Sequence, residues 1–191
     1  MSTVALPNWS PTGVLPPIDA VDPISANRSL YRVSLADLML RFGTSKERCA
    51  ILDGMLKYRA ALHAAGLVTG FQWIDGSFLE HVEHLAGRAP NDVDIVTFYR
   101  IAAGDTPDIV LARNPDLFDR VKAKENFKVD AFIVPLDADA AFLVAHSAYW
   151  YGVWSHRRDY TWKGFVEVDL TPAETPAIEL LKTLPAAGGT P

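Results

Sequence analysis

The sequence predicts a single α/β domain, and three observations predict it. Residues 71–74 form an apolar run of strand length that ends at a Gly-Ser turn and a helical segment. Two further runs, 92–96 and 128–134, lie on either side of another helical pattern, giving a β, α, β order. The third is bulk composition. With 191 residues, 49% of them hydrophobic and 21% charged, the chain has ordinary globular usage and suffices for one core.

Residues 1–28 hold Pro7, Pro11, Pro16, Pro17 and Pro23, a density that excludes helix and reads as an extended Pro-rich arm. The arm is either a loose terminus or, through Trp9, Val14, Leu15 and Ile18, a segment packed on the domain at 29–182. Ser34 to Asp37 starts a two-turn helix that Gly43 stops. Thr44 and Glu47 make a capping box for a longer helix that runs to about Ala65 and ends at Gly66. Ile51, Met55, Tyr58 and Leu62 lie on its stripe; Lys46, Glu47, Lys57 and Arg59 lie mostly off it, and Cys49 reads as structural. After the 71–74 strand, Ser77 and Glu80 form another capping box, with Leu79, Val82, Leu85 and Ala86 at helical spacing and Gly87 as a left-handed cap.

Pro90-Asn91 turns the chain into the 92–96 strand. Residues 99–113 stay open, apart from a turn at 104–107, with 108–112 helical or extended. Asn114 caps a short amphipathic helix that has Pro115 in its first turn and presents Leu117, Phe118 and Val121. Residues 137–156 carry one long helical pattern with a broad aromatic face, and 165–170 alternate as a half-exposed edge strand. The tail, 183–191, is small and expected to be loose. Neither an internal repeat nor a linker marks a second domain.

A formal net charge of −5 argues against a generalised nucleic-acid binder. Cys49 is the single cysteine, so there is no internal disulfide and no zinc-knuckle spacing, and a cytoplasmic protein is the expectation. The longest uncharged run, 140–155, is too short for a membrane span and contains His146 and Ser147, and no targeting segment is expected.

The chemistry-bearing pattern is acidic. In a strand of period two, Asp92 and Asp94 leave on one face, where two like charges repel unless one is protonated or a divalent cation sits between them. Carboxylates suit Mg²⁺, and Asp130, a lone acid in an apolar strand, completes a cradle of three acids on two strands. The plainer reading of Asp92 and Asp94 is a solvated strand end. Gly76-Ser77 is explained as a helix cap, or else as a turn whose amides and hydroxyl hold phosphates at a helix N-terminus. His156, Arg157 and Arg158 end the aromatic helix, where cations complement its dipole. Arg157, Arg158, Lys163 or Lys128 are also available as countercharge for phosphates, and spacing does not choose among them. His81 and His84 form a polar helix face or meet one metal; Tyr149, Trp150 and Trp154 are core or stack a base. Hydrolase-elbow, Walker and dinucleotide glycine motifs are absent from the sequence.

The succession of an apolar strand, Gly76-Ser77, a spacer, Asp92-Val93-Asp94 and a later strand aspartate, Asp130, resembles the nucleotidyltransferase fold of the DNA polymerase beta superfamily. With GVLPP, RFGTSKER, GFQWIDGSF and YWYGVWSHRRDYTWKGFVEV, most of the chain resembles a small bacterial family of nucleotidyltransferase-like domains of uncharacterised function. Fourteen residues separate Ser77 from Asp92, at or slightly beyond the usual spacer. The resemblance implies a short mixed β-sheet carrying the three acids, with helices packed against it. It further implies Mg²⁺ or Mn²⁺ held by Asp92, Asp94 and Asp130, with Gly76, Ser77, Arg157, Arg158 and Lys163 at the triphosphate. The implied reaction moves a nucleoside monophosphate from a nucleoside triphosphate, ATP among them, to a hydroxyl, with Asp130 taking the proton. The acceptor stays open between a protein, an RNA end and a small molecule. Two rival readings are an antitoxin-like module for a toxin-like protein partner and a catalytically silent nucleotide sensor.

Overall fold

The structure, a computed structural model, describes residues 6–184. Five strands form one open mixed sheet: β1 (Tyr31–Arg32), β2 (Gly70–Asp75), β3 (Val93–Tyr99), β4 (Val129–Pro135) and β5 (Val166–Asp169), in the order β1-β5-β2-β3-β4. β2 is antiparallel to both neighbours, whereas β3 and β4 are parallel, as are β1 and β5. Eight helices are described: α1 (Leu35–Phe42), α2 (Lys46–Ala64), α3 (Val82–Ala86), α4 (Pro107–Arg113), α5 (Pro115–Phe118), α6 (Arg120–Phe127), α7 (Ala140–Trp154) and α8 (Thr175–Thr183).

The pleat sorts the strand residues onto two faces. Gln72 meets Thr97 on the face under α2, where its amide donates to the Thr97 hydroxyl (2.9 Å) and its oxygen accepts from Arg59 of α2 (2.7 Å). The opposite face carries Phe71, Trp73, Phe98, Phe132 and Phe165, and α7 rests on it through Trp150 against Phe132 (4.5 Å between centroids) and Trp154 against Phe165 (5.9 Å). The predicted stripe of α2, Ile51, Met55, Tyr58 and Leu62, is buried throughout. Arg59, expected off that stripe, is buried as well, donating to Gln72, to the Asp169 carbonyl (3.0 Å) and to Glu174 (2.9 Å). One guanidinium thus ties α2 to two strands and to the entrance of α8.

Several elements differ from expectation for identifiable reasons. The helix expected from Ser77 is a 3-10 turn, Ser77–Leu79, followed by α3, and no side chain caps either piece. Buried Arg48 of α2 takes the carbonyls of Phe78 and Glu80 (both 2.6 Å) and the Glu83 carboxylate, which draws those acceptors away from a continuous helical ladder. Gly87 does close α3 in the left-handed region, at φ 61°. Ser45, not Thr44, caps α2, accepting from the Arg48 amide. The helix expected after Asn114 is two helices, because Asp119 ends α5 and caps α6 through the Lys122 amide. Val121 consequently faces solvent. β5 lies between β1 and β2 rather than at an edge. The broad core face expected of α7 reduces to Trp154, with Phe142, Leu143 and Trp150 partly covered and Tyr149 and Val153 exposed.

The described part of the N-terminal segment packs on the domain. Val14 and Leu15 are buried, the Trp9 indole donates to the Leu79 carbonyl (2.7 Å), and Tyr31 donates to the Pro16 carbonyl (2.6 Å). Of the expected arm and loose tail, residues 1–5 and 185–191 lie outside the described residues, while Thr183 belongs to α8.

Candidate functional site

Strand register aligns the acids. Asp75 at the end of β2 pairs with Asp94 of β3, and Asp94 pairs with Asp130 of β4, so three aspartates form one row across adjacent strands. All three stand on the face that carries Trp73, Phe98 and Phe132, while Asp92, expected within the strand, lies just ahead of β3 and near enough for its charge to act on Asp94. Such a row is costly. Burial pushes the Asp94 carboxyl up to about 6, and the neighbouring charges of Asp75, Asp130 and Asp92 push the same way.

Asp75 is buried, and burial raises it to about 6 as well, opposed by Lys163, whose Nζ lies 2.6 Å from both carboxylate oxygens. Lys163 is 5% exposed and sits 3.7 Å from Glu80, which in turn faces Arg157 at 3.5 Å. Behind this row the chain turns at Gly76, whose φ of 87° favours glycine. A Cβ there would lie 2.7 Å from Asp94 Oδ2, so the turn and the central acid are fitted to each other.

These groups line a cleft of about 680 Å³. Its acids are Asp75, Glu80, Asp94 and Asp159; its cations are Arg88, Arg157, Arg158 and Lys163; Gly76 and Ser77 form part of the wall. Gly76, Ser77, Asp94, Arg157, Arg158 and Lys163 of the sequence-derived set are therefore brought together. Asp92 and Asp130 are not in the lining. Lys124 of α6 holds Asp92, and Arg120 forks onto Asp130 with two bonds of 2.9 Å. Lys128 also stays away, exposed in a left-handed cap, while its carbonyl accepts from the Val93 amide. His81 stacks on Trp9 at 4.4 Å and on His84 at 5.3 Å, which makes that pair part of the surface packing.

Sequence reasoning missed Asp75, Glu80 and Arg88. Asp75 shares the parity of Phe71 and Trp73, the one signal that it stands on the face of the other acids. Among the described residues Arg157 and Lys163 face carboxylates, whereas Arg88 and Arg158 make no ion pair, Arg88 donating only to the Ala89 carbonyl.

Residues 7–169 match the model of DUF6932, described as a family of unknown function. The chain belongs to that family. No curated protein and no solved structure matches it. The matched span runs from the segment before Trp9 to the end of β5 and so includes every acid and cation of the cleft.

The donor set also bears on metal binding. Among the described residues no three His, Cys, Asp or Glu side chains are grouped to hold an ion, and Asp92 and Asp130 are engaged by Lys124 and Arg120. The residue types nonetheless fit a hard cation, since the donors are carboxylates whose mutual repulsion adds to burial in raising Asp94. Both restraining cations are about half exposed, at 52% and 55%, and pairs of that kind hold weakly in water.

Proposed function

We propose that the cleft transfers a nucleoside monophosphate from a nucleoside triphosphate to a hydroxyl group. The observation that carries this reading is the register row Asp75, Asp94 and Asp130, with Asp92 beside it, bounded by the Gly76-Ser77 turn and two arginines without carboxylate partners. Asp92, Asp94 and Asp130 would hold Mg²⁺ or Mn²⁺, which when bound supplies charge stabilisation at the reacting phosphoryl group and the departing pyrophosphate. Arg88 and Arg158 present guanidinium donors to phosphate oxygens, and the Ser77 hydroxyl adds a neutral donor at the turn. Lys163 acts differently from a phosphate ligand: it neutralises Asp75, so that the row carries one net charge fewer beside Asp94. Asp130, released from Arg120, accepts the proton of the attacking hydroxyl.

Labelled nucleotides test this. With Mg²⁺ and a cell lysate, label at the α position should appear on an acceptor and label at the γ position should not, and Asp94→Asn should abolish the transfer. Movement of γ label would instead mean phosphoryl transfer. The arginine and lysine already seated on Asp130 and Asp92 favour a second reading, nucleotide binding without turnover. Saturable triphosphate binding with neither label moving would select it.

A further inference from the structure

Helix α7 borders two cavities. Val153 and Trp154 line the cleft, and the pairs one and two turns before them, Tyr149 with Trp150 and Ala145 with His146, line a second cavity of about 370 Å³. The two spaces thus follow one another along a single flank of the helix, a four-residue step of roughly 6 Å apart. Trp150 touches Trp154 between them, at 5.4 Å between centroids.

The second cavity stands at the β4 end of the acid row. Trp150, part of its wall, packs on Phe132 (4.5 Å), and the Arg120 guanidinium covers that ring at 4.1 Å while it forks onto Asp130. Phe132 follows Asp130 by two residues on the same face of β4, about 7 Å along the strand. The Gly76-Ser77 turn and Lys163, seated on Asp75, mark the opposite, β2 end of the row. A triphosphate held at that turn leaves the Asp130 end, and the cavity beside it, to the acceptor.

The lining selects a flat ring with a polar edge. Tyr149, 60% exposed, and Trp150 offer aromatic surface for stacking. His146 donates through Nδ1 to the Phe142 carbonyl (2.9 Å), which leaves Nε2 of the neutral ring as an acceptor, and the Tyr149 hydroxyl both donates and accepts. A nucleobase matches both features, whereas an aliphatic ligand would leave the polar groups unused. A polynucleotide fits poorly, because Ala140–Trp154 carries no Lys or Arg to follow a phosphate backbone. The volume suits one small molecule. We propose that this cavity holds the nucleobase of a nucleoside whose hydroxyl is the acceptor in the cleft. Its role as acceptor rests on the transfer proposed above; the binding of the base does not. In the transfer, the hydroxyl oxygen bonds to the α-phosphorus, the bond between the α- and β-phosphoryl groups breaks, pyrophosphate leaves and the hydroxyl proton passes to Asp130.

Equilibrium dialysis of the full chain against labelled adenosine, guanosine, cytidine and uridine, with and without Mg²⁺ and a non-hydrolysable nucleoside triphosphate, tests it. At least one nucleoside should bind saturably under both conditions. Tyr149→Ala should weaken that binding by at least about fivefold, with unchanged circular dichroism and melting showing an intact fold. Trp150→Phe, which keeps a ring on Phe132, should weaken it less, and Val144→Ala, outside the lining, should leave it unchanged. Binding of none of the four nucleosides, or binding indifferent to Tyr149→Ala, overturns the proposal. Displacement of the nucleoside by the triphosphate puts the triphosphate's own base in the cavity and overturns the acceptor assignment. With α-labelled triphosphate and Mg²⁺, the nucleoside that binds should gain label, and Tyr149→Ala should raise its KM more than it lowers kcat. Nucleoside binding at this cavity with no label moving sinks the transfer reading and leaves the site standing; label moving to a lysate acceptor while no nucleoside binds does the reverse.

Discussion

Two neighbouring carboxyls raised to the same range should respond oppositely when neutralised. Among the described residues no cation is ion-paired with Asp94, and burial with the neighbouring acids pushes its carboxyl up to about 6, above the ordinary 3.8. A raised acid penalises the fold where it is charged, so the penalty is complete above about pH 6, shrinks as pH falls and is gone below the unfolded value. In chelator, Asp94→Asn should therefore stabilise the protein at pH 7 to 8 by on the order of 1–3 kcal/mol, and melting curves at pH 4 should show only a small part of that gain. An equal gain at both pH values would mean that packing, not charge, is responsible. Asp75 is raised despite Lys163, which is buried with it. Asp75→Asn leaves that buried ammonium with only Glu80, at 3.7 Å, to balance it and should cost about 3–5 kcal/mol. Asp130 is legible from sequence as a lone acid in an apolar run, and period-two spacing makes Asp92 and Asp94 legible. It does not reveal that Asp75 is buried, because an acid beside Gly-Ser resembles any turn residue and its partner lies 88 positions away.

Elements were legible where local chemistry decides them and illegible where a buried cation from elsewhere does. The Ser34 capping box, the Gly87 left-handed end and the stripe of α2 follow from neighbours within a few residues. The break between the 3-10 turn and α3 follows from Arg48, more than thirty residues upstream. β1, of two residues, left no periodic signal long enough to read, whereas α8 carries a proline in its first turn and apolar Ile178, Leu180 and Leu181 that could have marked it. Arg48 is the element-scale device, since it binds two carbonyls and Glu83 at once and Glu80 in turn faces Lys163. Arg48→Met keeps the aliphatic volume but orphans those acceptors, and loss of a buried, hydrogen-bonded charge is expected to cost about 3–5 kcal/mol. Hydrogen exchange should show opening first at residues 77–87. Uniform exchange across the molecule would mean that Arg48 supports the fold globally and not this turn.

At the scale of the whole molecule the sheet holds a cluster of like charges at one end of its α7 face, and a bound cation would relieve it. A ligand that binds only the folded state stabilises by RT ln(1 + [L]/Kd), about 2.7 kcal/mol at a hundredfold excess over Kd. For a chain of this size that is a rise in Tm of roughly 5–10 °C. Mg²⁺ with a nucleoside triphosphate should give such a rise in the wild type and none in Asp92→Ala with Asp94→Ala, although the doubly substituted apoprotein should itself melt higher than the wild-type apoprotein. Because Arg120 and Lys124 occupy Asp130 and Asp92, an ion held by those acids would have to displace them. Arg120→Ala with Lys124→Ala should accordingly reach half of the maximal Tm shift at a lower Mg²⁺ concentration. Its apoprotein should melt lower, since four acids would then face one another with only Lys163 to balance them. Thermal titrations of the three proteins with Mg²⁺ at fixed nucleotide separate the cases. A shift of equal size in all three places the metal elsewhere in the molecule; a higher Mg²⁺ requirement in the Arg120 and Lys124 variant makes those two side chains part of the binding site instead of its competitors.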